Sequence, residues 1–176
     1  MKKIIFLFSL FYSLIGFSQD DQLAMNYFDK GEFEKALVSF QELLTRQSGN
    51  GFYFQKTVEC YQQLKQYDVA EKAIFNWLEN HKQIALLVEL GYNYQLKKED
   101  NKSKKYYELA LNEIKKNPMA AFIIAGAFEK KVLIDYALQA YQIALEIDPK
   151  MNFNFQKLMK ILHLDETTHH LFHHYF

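Results

Sequence analysis

Apolar side chains return along this chain every three or four residues, in short stretches separated by polar breaks. Leu23, Ala24, Tyr27 and Phe28 share one helical face, and Ala36, Leu37, Phe40, Leu43 and Leu44 share the next. Gly31 stands between them, where a residue that tolerates positive φ can end a helix. Carried along the chain, this reading predicts helices near 20–30, 33–46, 51–64, 67–80, 84–97, 100–116, 118–131 and 134–147. Asp100 and Asp135 are placed to cap two of them, and Asn117-Pro118 breaks the chain where a helix should begin. Asn152 to Leu164 carries the apolar spacing of one further helix. The two prolines and six glycines leave long runs of helix-forming residues, and no stretch holds the period of a strand. The chain is expected to be all-α.

A longer period lies over the short one. A small residue recurs in the second helix of each pair at Ala36, Ala70, Ser103 and Ala137, spaced 34, 33 and 34 residues apart. Small residues let two helices approach closely, and the aromatics three or four positions later fill the space beside them. Neither helix of a pair is apolar enough to stand alone, so each pair must bury its remaining face on the next. A period of this length, built as two helices and a turn, is the mark of a solenoid.

These residues resemble the tetratricopeptide repeat family, whose pattern sets a small residue, Tyr, Gly, Tyr, Ala, an aromatic, Ala and Pro at fixed offsets. The first copy matches with Ala24, Tyr27, Gly31, Phe33, Ala36 and Phe40, and the fourth with Ala125, Phe128, Ala137, Tyr141, Ala144 and Pro149. The middle copies depart from the pattern: Lys65 and Lys98 replace the turn glycine, and Trp77 stands where a small residue is usual. The resemblance implies a right-handed α-α superhelical solenoid of about four tetratricopeptide helix pairs plus a C-terminal capping helix. The repeats fall near 19–50, 51–83, 84–117 and 118–151, with the cap at 152–164 and a His-rich tail at 165–176. The chain stops where a matching second helix should begin, as a shortened member of a longer array would.

In such a family the first helices line a concave face on which ligand peptides lie. Mapping its usual exposed positions onto this chain selects Met25, Phe28, Phe52, Gln55, Glu59, Gln62, Val88, Tyr92, Gln95, Phe122 and Glu129. Some family members hold a partner's C-terminal carboxylates with Lys and Asn on these helices. Asp21 and Met25 occupy the first two such positions here, which argues against that clamp. Aromatic anchors among amides suit an apolar partner segment instead.

The N-terminus bears on where this happens. Lys2 and Lys3 precede an uncharged run from Ile4 to Phe17, and Gly16 and Ser18 sit where a signal peptidase reads small residues. The expectation is a signal peptide over residues 1–18, cleaved after Ser18, and a mature chain exported to the periplasm or cell surface. As a helix, about 14 residues at ~1.5 Å each span ~21 Å, short of a ~30 Å hydrocarbon core. No membrane span is expected after cleavage. Losing Lys2 and Lys3 leaves 19 basic residues against 21 acidic ones, a net charge of −2. Only Arg46 is an arginine, so a nucleic-acid partner is not expected.

The remaining chemistry is sparse. Cys60 has no partner for an internal disulfide and reads as a buried apolar residue. Lys97 to Asp100 and Lys102 to Lys105 read as solvated surface. No nucleophile elbow, phosphate-binding glycine loop or zinc-protease helix is present, and neither an enzyme nor a cofactor is expected. His169, His170, His173 and His174 have a spacing that can hold a transition metal, and a metal-binding accessory protein is the alternative reading. The favoured reading is a non-enzymatic scaffold that binds another protein or peptide segment in the groove. Open-ended stacks also lend themselves to self-association.

Overall fold

A computed structural model describes residues 19–151; the expected signal segment at 1–18, the expected cap at 152–164 and the histidine tail lie outside the described residues. The described chain is helical. Helix α1 covers 19–29. It is followed by α2 (Phe33–Arg46), α3 (Gly51–Gln63), α4 (Tyr67–Asn80), α5 (Ala85–Leu96), α6 (Asp100–Lys116), α7 (Ala120–Lys130) and α8 (Ile134–Ile147). A single 3-10 turn, Pro149–Met151, closes the described chain.

The four turns inside the helix pairs are built alike. The residue with positive φ is Gly31 (75°), Lys65 (59°), Lys98 (61°) and Val132 (59°), spaced 34, 33 and 34 residues apart. In each, its N–H donates to the carbonyl three residues back, as from Lys65 to Gln62 and from Val132 to Glu129. The next N–H reaches back five residues, to Tyr27, Tyr61, Tyr94 and Phe128. This is the paired closure of a helix C-terminus that a left-handed residue permits. Lysine and valine therefore adopt the conformation that glycine takes in the first turn, against their own steric preference.

Helix starts differ from expectation. Asn50 caps α3, its side-chain oxygen accepting the N–H of Phe52 (3.0 Å) and of Tyr53 (3.3 Å). Asp100 and Asp135 are not caps; both lie inside the first turn, and Leu133 holds the cap position of α8 without a side-chain bond. There they still oppose the positive end of the helix dipole.

By their contacts the described residues divide into two compact units, 19–83 with 93–99, and 84–92 with 100–151, so that α5 contributes to both. In the first unit Ala24, Ala36, Phe40, Leu43, Tyr53 and Cys60 form the core, with Met25, Tyr27, Phe28, Leu37 and Leu44 against it. Trp77 is sandwiched between the rings of Phe54 and His81, each 4.0 Å away, and donates its indole N–H to Gln83 Oε1 (3.1 Å). That stack fills the space a small residue would have closed. Asn93 Nδ2 donates to the Tyr67 carbonyl (2.9 Å), tying the end of α5 to the start of α4.

The second unit packs Val88, Tyr107, Ala110, Ile114, Ile124, Ala125, Phe128, Ala137, Ala140, Tyr141 and Ala144 into one core. Each buried Ile, Phe or Val side chain contributes roughly 1.5–3 kcal/mol. Ala36, Ala70, Ser103 and Ala137, the small residues of the period, are all buried. Gly91 faces the ring of Tyr107 so closely that no side chain fits between them. Leu86, Val88, Glu89, Leu90, Gly91, Asn93 and Tyr94 are buried and point to nearly every side of α5, though Gln95 near its end is exposed. A helix buried all round is a core helix rather than a surface one.

Candidate partner-binding face

The first helices place the expected groove residues in three different environments. Phe52 and Gln95 are exposed, Phe52 to 51%. Met25, Phe28, Gln55, Glu59, Tyr92, Phe122 and Glu129 are half-buried. Gln62 and Val88 are buried. Val88 is a correction: it is wholly enclosed in the second unit's core and presents nothing to a ligand. The reason is the all-round burial of α5, which a repeat position alone does not foretell.

In the first unit, Phe28 lies edge-on to Phe33 and Phe40, so its ring is as much a wall of the core as a surface. Lys56 sits over this ring, the ammonium 4.1 Å from the ring centre, and pairs with Glu59 at 2.8 Å. Gln55 Nε2 donates to the same carboxylate (3.2 Å). Gln62 Nε2 is buried with no hydrogen-bond partner among the described residues. Asp21 accepts the Tyr53 hydroxyl (2.8 Å), and burial together with that bond raises the Tyr53 phenol above its ordinary range.

In the second unit, Lys131 lies 4.8 Å from the Tyr92 ring centre and 2.8 Å from Glu89, both charged side chains being almost fully enclosed. Phe122 meets Tyr141 edge to face at 6.1 Å. The Tyr141 hydroxyl donates to Glu129 Oε1 at 3.4 Å. Burial holds the Glu129 carboxyl above its ordinary range, a rise the Tyr141 bond partly offsets. Burial, then the Glu129 charge, pushes the Tyr141 phenol up strongly.

Lys56, Glu89, Gly126, Lys131 and Tyr141 belong to these faces although the family's exposed positions do not select them. Repetition was a signal for Gly126, which stands one period from Tyr92 and two from Glu59. The ion pairs had no comparable signal, because Lys56 and Lys131 occupy different places in the period. Among the described residues no helix is long and apolar enough to cross a membrane. The four histidines proposed for metal lie outside those residues.

Known proteins bear on the fold. No family model and no curated protein matches the chain. The solved structure of the Yersinia enterocolitica type III secretion translocator chaperone SycD is similar over 75% of this chain and 94% of that one, with 21% identity and a TM-score of 0.53. The fold is a tetratricopeptide-type helical repeat. MamA is a looser likeness, 20% identical over 77% of this chain and 80% of its own, with a TM-score of 0.48. The C-terminal part of a TPR repeat-containing protein from Cytophaga hutchinsonii is 19% identical over 70% and 49%, with a TM-score of 0.42. In this tetratricopeptide fold the four left-handed turns stand where the period of the sequence puts them. Lys65, Lys98 and Val132 perform the task of the family's turn glycine.

Proposed function

We propose that this chain is an exported, non-enzymatic scaffold whose first helices bind a segment of another protein. The observation that carries the reading is the state of the first-helix side chains. Phe52 stands half in solvent, and Met25, Phe28, Gln55 and Glu59 remain partly accessible beside a closed core. An exposed ring among amides and a paired carboxylate is the composition of an interface centre with a polar rim. The similarity to a secretion chaperone supports the fold on which such a face is built. The signal-like N-terminus supports the periplasm or cell surface as the place of action.

Two measurements test this. Mass spectrometry of the exported chain should give a protein starting at Gln19; a chain that keeps residues 1–18, or stays in the cytoplasm, overturns the location. Cross-linking in the producing cells should capture a defined protein partner. A Phe52→Ala, Gln95→Ala variant, altered at two exposed positions, should keep its thermal melt and lose that partner. Capture of the same partner at the parental level places binding elsewhere.

A further inference from the structure

The chain shows in its own packing what an aromatic ring beside a carboxylate holds. Lys56 lies between Phe28 and Glu59, Lys97 between Tyr94 and Glu71, and Lys131 between Tyr92 and Glu89. The three lysine side chains are only 18%, 18% and 10% exposed. A ring face and a carboxylate together attract an ammonium more strongly as water is excluded.

A fourth such arrangement lies on α7. Phe122, Gly126 and Glu129 follow one another at four and three residues and so share a face. Tyr141 of α8 touches Phe122 with its ring and Glu129 with its hydroxyl. Gly126 leaves a notch between them: a Cβ placed there would meet nothing within 4 Å. Glu129 forms no ion pair with a cation among the described residues; its hydrogen bond is to the neutral Tyr141. Burial already disfavours its charge, as expected of a carboxylate set into an apolar wall without its counter-ion.

We propose that the notch of Phe122, Gly126, Glu129 and Tyr141 receives a lysine or arginine side chain of the partner segment. This rests on the scaffold reading and adds the partner's chemistry: apolar residues flanking one cation. The aliphatic stem would lie along Phe122 over Gly126, and the charged head would meet Glu129 and the Tyr141 ring.

The test uses the exported full chain and two blocked peptides of alternating leucine and alanine, one with a central lysine and one with norleucine there. The parent should bind the lysine peptide at least tenfold more tightly. Gly126→Lys supplies the cation from within and Glu129→Gln removes the charge, so either should abolish the preference. A Cβ at Gly126 meets open space, Gln has nearly the shape of Glu, and thermal melts should show both variants folded. Equal affinity of the parent for the two peptides overturns the proposal. So does a preference that survives Gly126→Lys, or failure of both peptides to bind. A partner captured equally by the parent and by Gly126→Lys would leave the scaffold reading standing while the notch falls. Absence of any cross-linked partner would count against the scaffold itself.

Discussion

The backbone of Gly91 lies directly against the ring of Tyr107, and a Cβ on Gly91 would overlap two carbons of that ring. Glycine here is a packing requirement, since the helix continues through it without a left-handed residue. Gly91→Ala gains roughly 1 kcal/mol of helix propensity but must displace a buried tyrosine, an overpacking cost of about 1–3 kcal/mol. We expect a net loss, seen as a lower urea midpoint. Gly126→Ala meets open space and should raise the midpoint by the propensity gain alone. The same substitution in two helices should thus act with opposite signs; equal shifts would refute the packing account.

Val132 carries the most unfavourable turn. It is β-branched, 80% exposed and held at φ 59°, a conformation that costs an L-residue about 1–2 kcal/mol. Val132→Gly should stabilise the chain by about 1 kcal/mol, a rise in Tm of roughly 2–4 °C. Its side chain contributes too little burial to offset that. A lower Tm would mean that Val132 packs in some way its exposure does not reveal.

Lys131→Met should be the most damaging of these changes. It takes away the ammonium 2.8 Å from Glu89, whose side chain is 5% exposed. Removing one partner of a buried pair costs about 3–5 kcal/mol. Adding Glu89→Gln should recover part of the loss, and a double-mutant cycle by urea unfolding measures how much. Additive effects would show that the two charges act separately.

Glu129 sets a pH dependence whose sign is definite. Its carboxyl is raised in the folded chain above the ordinary 4.5, so the unfolded chain loses that proton first. Its burden on stability is absent at acid pH and grows as pH rises through the folded value. Glu129→Gln, which still accepts from Tyr141, should therefore be more stable than the parent at pH 7, with the gap closing by pH 4. A gap of the same size at both pH values would exclude the titration as its cause.

Cys60 should be silent toward thiol reagents. Burial pushes its thiol up to about 12, and the residue is fully enclosed in the first unit's core. Labelling by a disulfide reagent at pH 8 should run about a hundredfold or more slower than with a free thiol, and become fast in denaturing urea. Rapid labelling of the folded chain would contradict the burial.

How much of this was legible in the residues follows from which forces are local. Helix spacing is local, and among the described residues the eight helices expected between 20 and 147 are present within about two residues of where the apolar rhythm put them. The small residues at 36, 70, 103 and 137 announced close helix contacts and are all buried. Cys60, read as a buried apolar residue because a lone thiol without a disulfide partner behaves as a small hydrophobe, is buried. The caps were misassigned at Asp100 and Asp135 because an acidic residue favours both the cap and the first turn, and pattern alone does not separate them.

What the sequence by itself determined was the repeat: a 34-residue period of apolar faces, small contacts and turns, each encoded within a few neighbouring residues. It could not determine which side of a helix stays open, because that depends on the helices brought against it from elsewhere in the chain. So Val88, at a position the family leaves exposed, became core, and Lys56 and Lys131 found their carboxylates. Only the tertiary structure decided that Glu129 lies half-buried beside Tyr141 over an open glycine, since desolvation and charge pairing are properties of the assembled surroundings and not of the residue.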